Sequence, residues 1–262
     1  MLEIENLKKI AQFKRLSSLQ AEKDYIQDAV LFSLYQKVSD EFVFKGGTCL
    51  YKCYSLLRFS EDLDFTVSKN VKIGKIVASL LENLEFLNIK GQVKETREYL
   101  QQINVHLLFK GPLYRGRKSE LCFLPLNLSL RERPLMIQKE GYHSLYPEIP
   151  AFDLFLMSEP EILAEKVRAI YTRNKPRDVY DFWFLLKKKI HFDRNLVEQK
   201  LKLYDLHFDI SIFKERLQEK EKLWLTDLKP LVPNDVADFN IVIEEIVELM
   251  KVITNDNLKH IK

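Results

Sequence analysis

The sequence predicts an α+β fold, a mixed sheet flanked by helices and followed by an all-helical C-terminal part. Three observations predict it. Short apolar strand patterns at 42–44, 63–67, 102–109 and 121–130 are confined to the first half of the chain. Helical stripes precede and interrupt them. Beyond Pro147 and Pro150 the chain turns strongly helical, from Glu159 onward.

Taken in order, residues 21–38 place Tyr25, Ala29, Phe32 and Tyr35 on one face at spacings of three and four, which predicts a helix. Phe42-Val43-Phe44 is a short buried-strand pattern, and Gly46-Gly47 is a side-chain-free turn into a helix from near Thr48. Leu63, Phe65 and Val67 alternate as a second strand. Residues 71–88 carry the stripe Ile73, Ile76, Val77, Leu80, Leu81 and Leu84. The two later strands are separated by a basic loop, Lys110–Lys118. The prolines at 147 and 150 mark the expected boundary between a first domain, 1–150, and a helical domain, 151–262. Helices are expected there at 159–173, 179–189, 196–203, 212–223 and 236–254.

Composition excludes several classes. With 262 residues, 46% apolar and 30% charged, the chain is long and apolar enough for real cores and too mixed for disorder. Its longest apolar runs fall well short of the ~18 residues of a membrane span. Glu3, Glu5, Lys8 and Lys9 leave no apolar core for a secretion signal, so a cytoplasmic location is expected. The three cysteines, Cys49, Cys53 and Cys122, have no zinc-ligand spacing and read as reduced core thiols. His106, His143, His191, His207 and His260 are scattered, and no Gly-Lys-Ser/Thr loop is present. A net charge of +3 does not by itself announce a nucleic-acid binder.

The residues that carry chemistry lie between 45 and 65. Backbone N–H groups at the Gly46-Gly47 turn can point at a phosphate, and Thr48 adds a hydroxyl. Fourteen residues after Thr48 come Asp62 and Asp64, which face one side of a strand while Leu63 faces the other. Two carboxylates so placed suit a hard divalent cation, commonly Mg²⁺ holding substrate phosphates. Either motif alone is usually a turn or a solvated loop. Joined in one strand–turn–helix–strand unit, they point to nucleoside triphosphate chemistry.

Lys45-Gly46-Gly47-Thr48, with Arg58-x-Ser60-x-Asp62-Leu63-Asp64-Phe65, resembles the signature of the nucleotidyltransferase superfamily, and more closely that of the AbiEii-type toxin nucleotidyltransferases. Glu22-Lys23-Asp24-Tyr25 is similar to that family's lead-in helix. Glu165-Lys166-x-x-Ala169-x-x-x-Arg173, followed by Arg177-Asp178-x-x-Asp181, is similar to its second signature. The resemblance runs from about residue 20 to 190. It implies a nucleotidyltransferase-like first domain and a helical domain that completes the active site. Asp62 and Asp64 would hold Mg²⁺. Lys45, Gly46, Gly47, Thr48, Arg58, Ser60 and Lys166 would bind the NTP. Asp181, or alternatively Asp178, would serve the acceptor. Lys166 is expected on a solvent-accessible helix, carrying little folding energy.

The family further implies transfer of NMP from an NTP with release of pyrophosphate. The acceptor would be RNA, the tRNA 3′ end foremost, and the setting a bacterial toxin–antitoxin or abortive-infection phage-defence system with a cognate antitoxin. Arg115, Arg117, Lys118, Arg173 and Arg177 are the candidate RNA contacts. One position departs from the pattern: Asn127 stands where a third strand-borne acid is expected, and an amide cannot act as a general base. Two other readings therefore stay open, a catalytically weak nucleotide-binding regulator of the same fold and an RNA- or antitoxin-binding helical module.

Overall fold

The computed structural model describes residues 1–68 and 71–259, with side chains described to Lys251. It resolves the chain into two compact units, Met1–Ser55 with Phe59–Met157, and Leu56–Arg58 with the residues from Ser158 onward. In the first unit α1 (Ile4–Lys14) and α2 (Ser18–Tyr35) lead into β1 (Phe42–Lys45), α3 (Gly46–Cys53) and β2 (Leu63–Val67). After these come α4 (Ile73–Glu85), β3 (Lys90–Tyr99), β4 (Gln102–Lys110), β5 (Cys122–Ser129), β6 (Ile137–Tyr142) and β7 (Phe152–Met157). The strands form one sheet in the order β3-β4-β5-β2-β1-β7-β6. β2 runs parallel to β5 and β1 to β7, and the other neighbours are antiparallel.

Alternation decides which side of this sheet is core. Leu124, Leu126 and Leu128 of β5 align with Leu107, Val105 and Ile103 of β4, and all but Ile103 are buried. Leu63 and Phe65 of β2 extend the same layer through their pairing with Leu126 and Leu128. Each such side chain contributes about 1.5–3 kcal/mol by leaving water. α2 packs against β5, β7 and α4, its start fixed by Ser17, which accepts from the Gln20 N–H at 3.2 Å. Its polar residues Asp24 and Asp28 are also buried. They hold the fully buried Lys52 of α3, at 2.8 Å from Asp24, and accept hydroxyls from Tyr146 (2.8 Å) and Tyr142 (2.9 Å). This pairing ties the C-terminal end of α3 to α2.

Three strands are absent from the sequence reading, two of them for a physical reason. β3 and β6 are the sheet edges and are polar and exposed on both faces, so no period-two apolar signal marks them. β7 follows Pro150, which the sequence reading takes as the start of helical structure. Residues 152–157 instead pair with β1 and β6, and the second unit begins at Ser158.

That unit contains α5 (Glu159–Thr172), α6 (Pro176–Lys187), α7 (Arg194–Lys202), α8 (Ile210–Gln218), α9 (Trp224–Leu228) and α10 (Phe239–Lys259). Its core includes Ile162, Val167, Phe182, Phe213, Trp224 and Ile246. The helix expected at 212–223 ends at Gln218, and a short 3-10 turn leads to α9. Among the described residues no helix is long and apolar enough to cross a membrane.

Candidate active site

In the first unit, Lys45 of β1, Asp64 of β2 and Asn127 of β5 are consecutive register partners across the sheet. Asp62 lies one residue before β2. Burial alternates from it, with Asp62 and Asp64 half-buried and Leu63 and Phe65 wholly buried. Both aspartates therefore lie off the core face. Asn127 Nδ2 donates to Asp64 Oδ1 at 3.0 Å. The other oxygen lies against the glycine turn: a Cβ on Gly46 would stand 2.6 Å from Asp64 Oδ2. Gly46 also has φ +77°, which disfavours any side chain. Glycine is required here because the carboxylate and the start of α3 occupy one place.

The neighbouring candidates are placed differently from one another. Lys45 is nearly buried and ion-pairs with Glu132 at 3.2 Å, a partner that no local sequence pattern reveals. Thr48 is fully buried, and its hydroxyl donates to the Asp62 carbonyl. This corrects the assignment of that hydroxyl to a phosphate: Thr48 fixes the backbone of Asp62. Ser60 is buried, and its carbonyl accepts from Gln27 Nε2 at 2.9 Å. Thr66, two residues beyond Asp64, buries a hydroxyl that has no hydrogen-bond partner among the described residues.

These donors fit Mg²⁺. They offer hard carboxylate oxygens on a half-exposed strand end, which suits a cation shared with phosphates and water. Among the described residues no group of three His, Cys, Asp or Glu side chains forms a closed metal cluster, and His260 lies outside those residues.

The second unit gathers the other candidates into an ion network that is buried except for the exposed Arg173 side chain. Asp181 accepts from Arg58 Nε at 2.7 Å and Nη2 at 2.6 Å, and its Oδ2 also meets Lys166 Nζ at 2.7 Å. Asp178 meets Lys166 Nζ at 3.1 Å and forks with Arg173 at 2.7 and 2.8 Å. Three cations thus share two carboxylates. Lys166 is only 5% exposed, which overturns its expected place on an accessible helix face. Its spacing to Arg173, and that of Asp178 to Asp181, brings these four together through one helical hairpin.

Burial would raise the Asp178 pKa, but Lys166 and Arg173 outweigh it and hold the carboxyl well below its usual range. A depressed folded pKa stabilises the fold above the unfolded value of about 4, and that contribution is lost as pH falls below it. The stability gap between wild type and Asp178→Asn should therefore narrow as pH drops below about 4. Chemical denaturation across that range checks this, and a constant gap would contradict it.

The candidate RNA contacts divide. Arg173 is engaged by Asp178, and Arg177 forks onto Asp227 with contacts of 2.7 and 3.2 Å. Both guanidinium groups are paired with carboxylates, although the Arg173 side chain remains 46% exposed and Arg177 is half-buried. Arg115, Arg117 and Lys118 are exposed and lie on the loop between β4 and β5.

Comparison with known proteins accords with this architecture. MenT4, a nucleotidyltransferase toxin from Mycobacterium tuberculosis H37Rv, superposes with a TM-score of 0.66 at 20% identity, covering 97% of this chain and 90% of that one. A provisionally assigned nucleotidyltransferase from Helicobacter pylori gives 0.64 at 22% identity, covering 94% of this chain and 99% of that one. JHP933, also from Helicobacter pylori, gives 0.59 at 20% identity, covering 94% and 96%. No curated protein matches the chain. The fold is that of the nucleotidyltransferase toxins, a mixed seven-stranded sheet with flanking helices. Residues 30–245 match the family described as nucleotidyl transferase AbiEii toxin, type IV toxin–antitoxin system, and the chain belongs to that family. It is a nucleotidyltransferase.

Proposed function

We propose that this chain transfers a nucleoside monophosphate from an NTP to an RNA acceptor, foremost the 3′ end of tRNA, in a Mg²⁺-dependent reaction. The observation that carries the reading is Asp64 seated between the Gly46 turn and Asn127, beside Asp62, at the start of α3. Asp62 and Asp64 would hold Mg²⁺, which when bound offsets charge on the triphosphate. The N–H groups at Gly46 and Gly47 face the β- and γ-phosphates as an anion-binding helix start. Asn127 keeps Asp64 in one rotamer, and Thr48 does the same for the backbone of Asp62.

Lys45, next to Asp64 in the sheet, would supply positive charge for the triphosphate. The family resemblance assigns Lys166 and Arg58 to the same task, which would require their pairs with Asp178 and Asp181 to open. Asp181 acts as a positioning residue, because Arg58 and Lys166 already occupy its oxygens. Asp178 does the same for Lys166 and Arg173. In the transfer an acceptor hydroxyl gives up its proton to water and attacks the α-phosphate, the bond to the β-phosphate breaks, and pyrophosphate leaves. The chain is proposed to act in the cytoplasm as a toxin restrained by a cognate antitoxin, with phage defence as its setting. Incubating labelled NTPs with total RNA, with and without Mg²⁺, tests the reading. Labelling of protein alone, or of nothing, would overturn it.

A further test concerns the exposed basic loop. Replacing Arg115, Arg117 and Lys118 together by Ser should weaken RNA use by about tenfold or more at moderate salt and flatten its salt dependence, since each phosphate contact contributes to that slope. NTP affinity should stay unchanged. An unaltered slope in RNA binding against salt would place the phosphate contacts elsewhere.

A further inference from the structure

One face of β3–β5 leads from the carboxylate pair to the basic loop. Asn127 hydrogen-bonds Asp64, and Asn104 is its register partner on β4. Two residues further along each strand come His106 and Pro125, and two beyond those Leu108 and Phe123. The side chains of this row are half-buried, whereas the alternating residues Val105, Leu107, Leu124 and Leu126 are in the core. From Asn127 to Phe123 the row spans about 14 Å. It is an open polar and aromatic strip that starts at the reacting end of the proposed site.

Its chemistry changes along its length in a definite order. Near Asp64 it offers amides, with Gln102 donating to Asn104 at 2.7 Å. In the middle His106 and Phe123 meet edge to face at 5.2 Å, and Lys94 Nζ stands 5.3 Å from the Phe123 ring centre. At the far end the chain enters the loop that exposes Arg115, Arg117 and Lys118. That loop is held in shape by two carboxylates. Glu120 accepts the N–H groups of Arg115 (2.9 Å) and Arg117 (3.1 Å), and the buried Glu22 accepts that of Leu113 (2.6 Å). The acidic group on the strip itself, Glu95, is already bound by His106 Nδ1 at 2.7 Å and by Arg97. Aromatic faces followed by exposed cations and preceded by amides are what a single RNA strand requires: stacking for bases, charge for phosphates, and hydrogen bonds for ribose hydroxyls.

We propose that this strip is the path of the acceptor RNA, with its terminal hydroxyl toward Asp64, a base against His106 and Phe123, and upstream phosphates on the loop. The proposal rests on the RNA reading given above and adds the route. The test uses the full chain and a short single-stranded oligoribonucleotide carrying iodouridine near its 3′ end. Photocrosslinks should fall on β4 or β5. Phe123→Leu keeps apolar bulk but removes the ring, and with His106→Ala it should weaken binding, each by about tenfold, with NTP binding unchanged. Phe123→Trp should restore or strengthen it. Wild-type affinity in both variants, with crosslinks elsewhere, would overturn the route while leaving an RNA acceptor standing. Failure of the wild-type chain to bind the oligoribonucleotide while it binds NTP would overturn the RNA reading as well. Equal binding of the matching oligodeoxyribonucleotide would overturn the choice of RNA.

Discussion

Asp62→Ala and Asp64→Ala should each reduce nucleotidyl transfer to the background rate while the protein stays folded. The expected loss exceeds about a hundredfold, because removing groups that merely support a metal ligand already costs 10–100-fold. Folding should change little. Both side chains lie off the core face, and Asp64→Ala forfeits one hydrogen bond, from Asn127, of about 1 kcal/mol. Direct titration with Mn²⁺ should show weakened metal binding in both variants. Near-normal transfer, or unchanged metal affinity, would remove these carboxylates from the metal role. Gly46→Ala offers an independent check, since its new methyl group would press on Asp64 Oδ2 from the other side.

Asp181→Asn should have the opposite profile, a large loss of stability whatever its effect on turnover. Arg58 and Asp181 are both buried, and the asparagine would leave the guanidinium with a neutral partner in place of its forked carboxylate. Breaking a buried pair from one side typically costs about 3–5 kcal/mol, here a fall in Tm on the order of 10 °C. Lys166→Ala should be milder, since Arg58 and Arg173 remain on the two carboxylates. It should also weaken NTP use. If Asp181→Asn melts as the wild type does, the network does not hold this unit together, and a role on the acceptor alone becomes the better assignment. Differential scanning calorimetry beside steady-state kinetics separates the two effects.

Local rules make the central strand and its neighbouring helix legible in the sequence alone. Leu63 and Phe65 alternate with Asp62 and Asp64, so a strand that buries one pair turns the other pair away from the core. Gly46-Gly47 before an apolar stripe marks a turn into a helix, and α3 starts there. The helical hairpin with Lys166, Arg173, Asp178 and Asp181 is equally readable, because spacings of three, four and seven fix a helix face. The family follows from the same short segments.

Tertiary structure decides the rest. Whether a charged side chain on a known face meets water or a partner depends on chain segments far away in sequence. Arg58 finds Asp181, Lys45 finds Glu132, and Lys52 finds Asp24 and Asp28, each across a long stretch of intervening chain. Lys166 accordingly lies inside an ion network, and Arg173 and Arg177 are tied to carboxylates, although composition alone suggests solvated cations. The same cause hides two strands. β3 and β6 are edges with no buried face to imprint an apolar period. β7 differs: Phe152, Leu154 and Leu156 alternate into the core, a local signal that the reading of Pro147 and Pro150 as a boundary to helical structure passes over. Sequence determines local shape and the chemical groups available. Long-range pairing determines which of those groups remain open to a substrate, because desolvation and charge compensation are settled between elements that only the folded chain brings together.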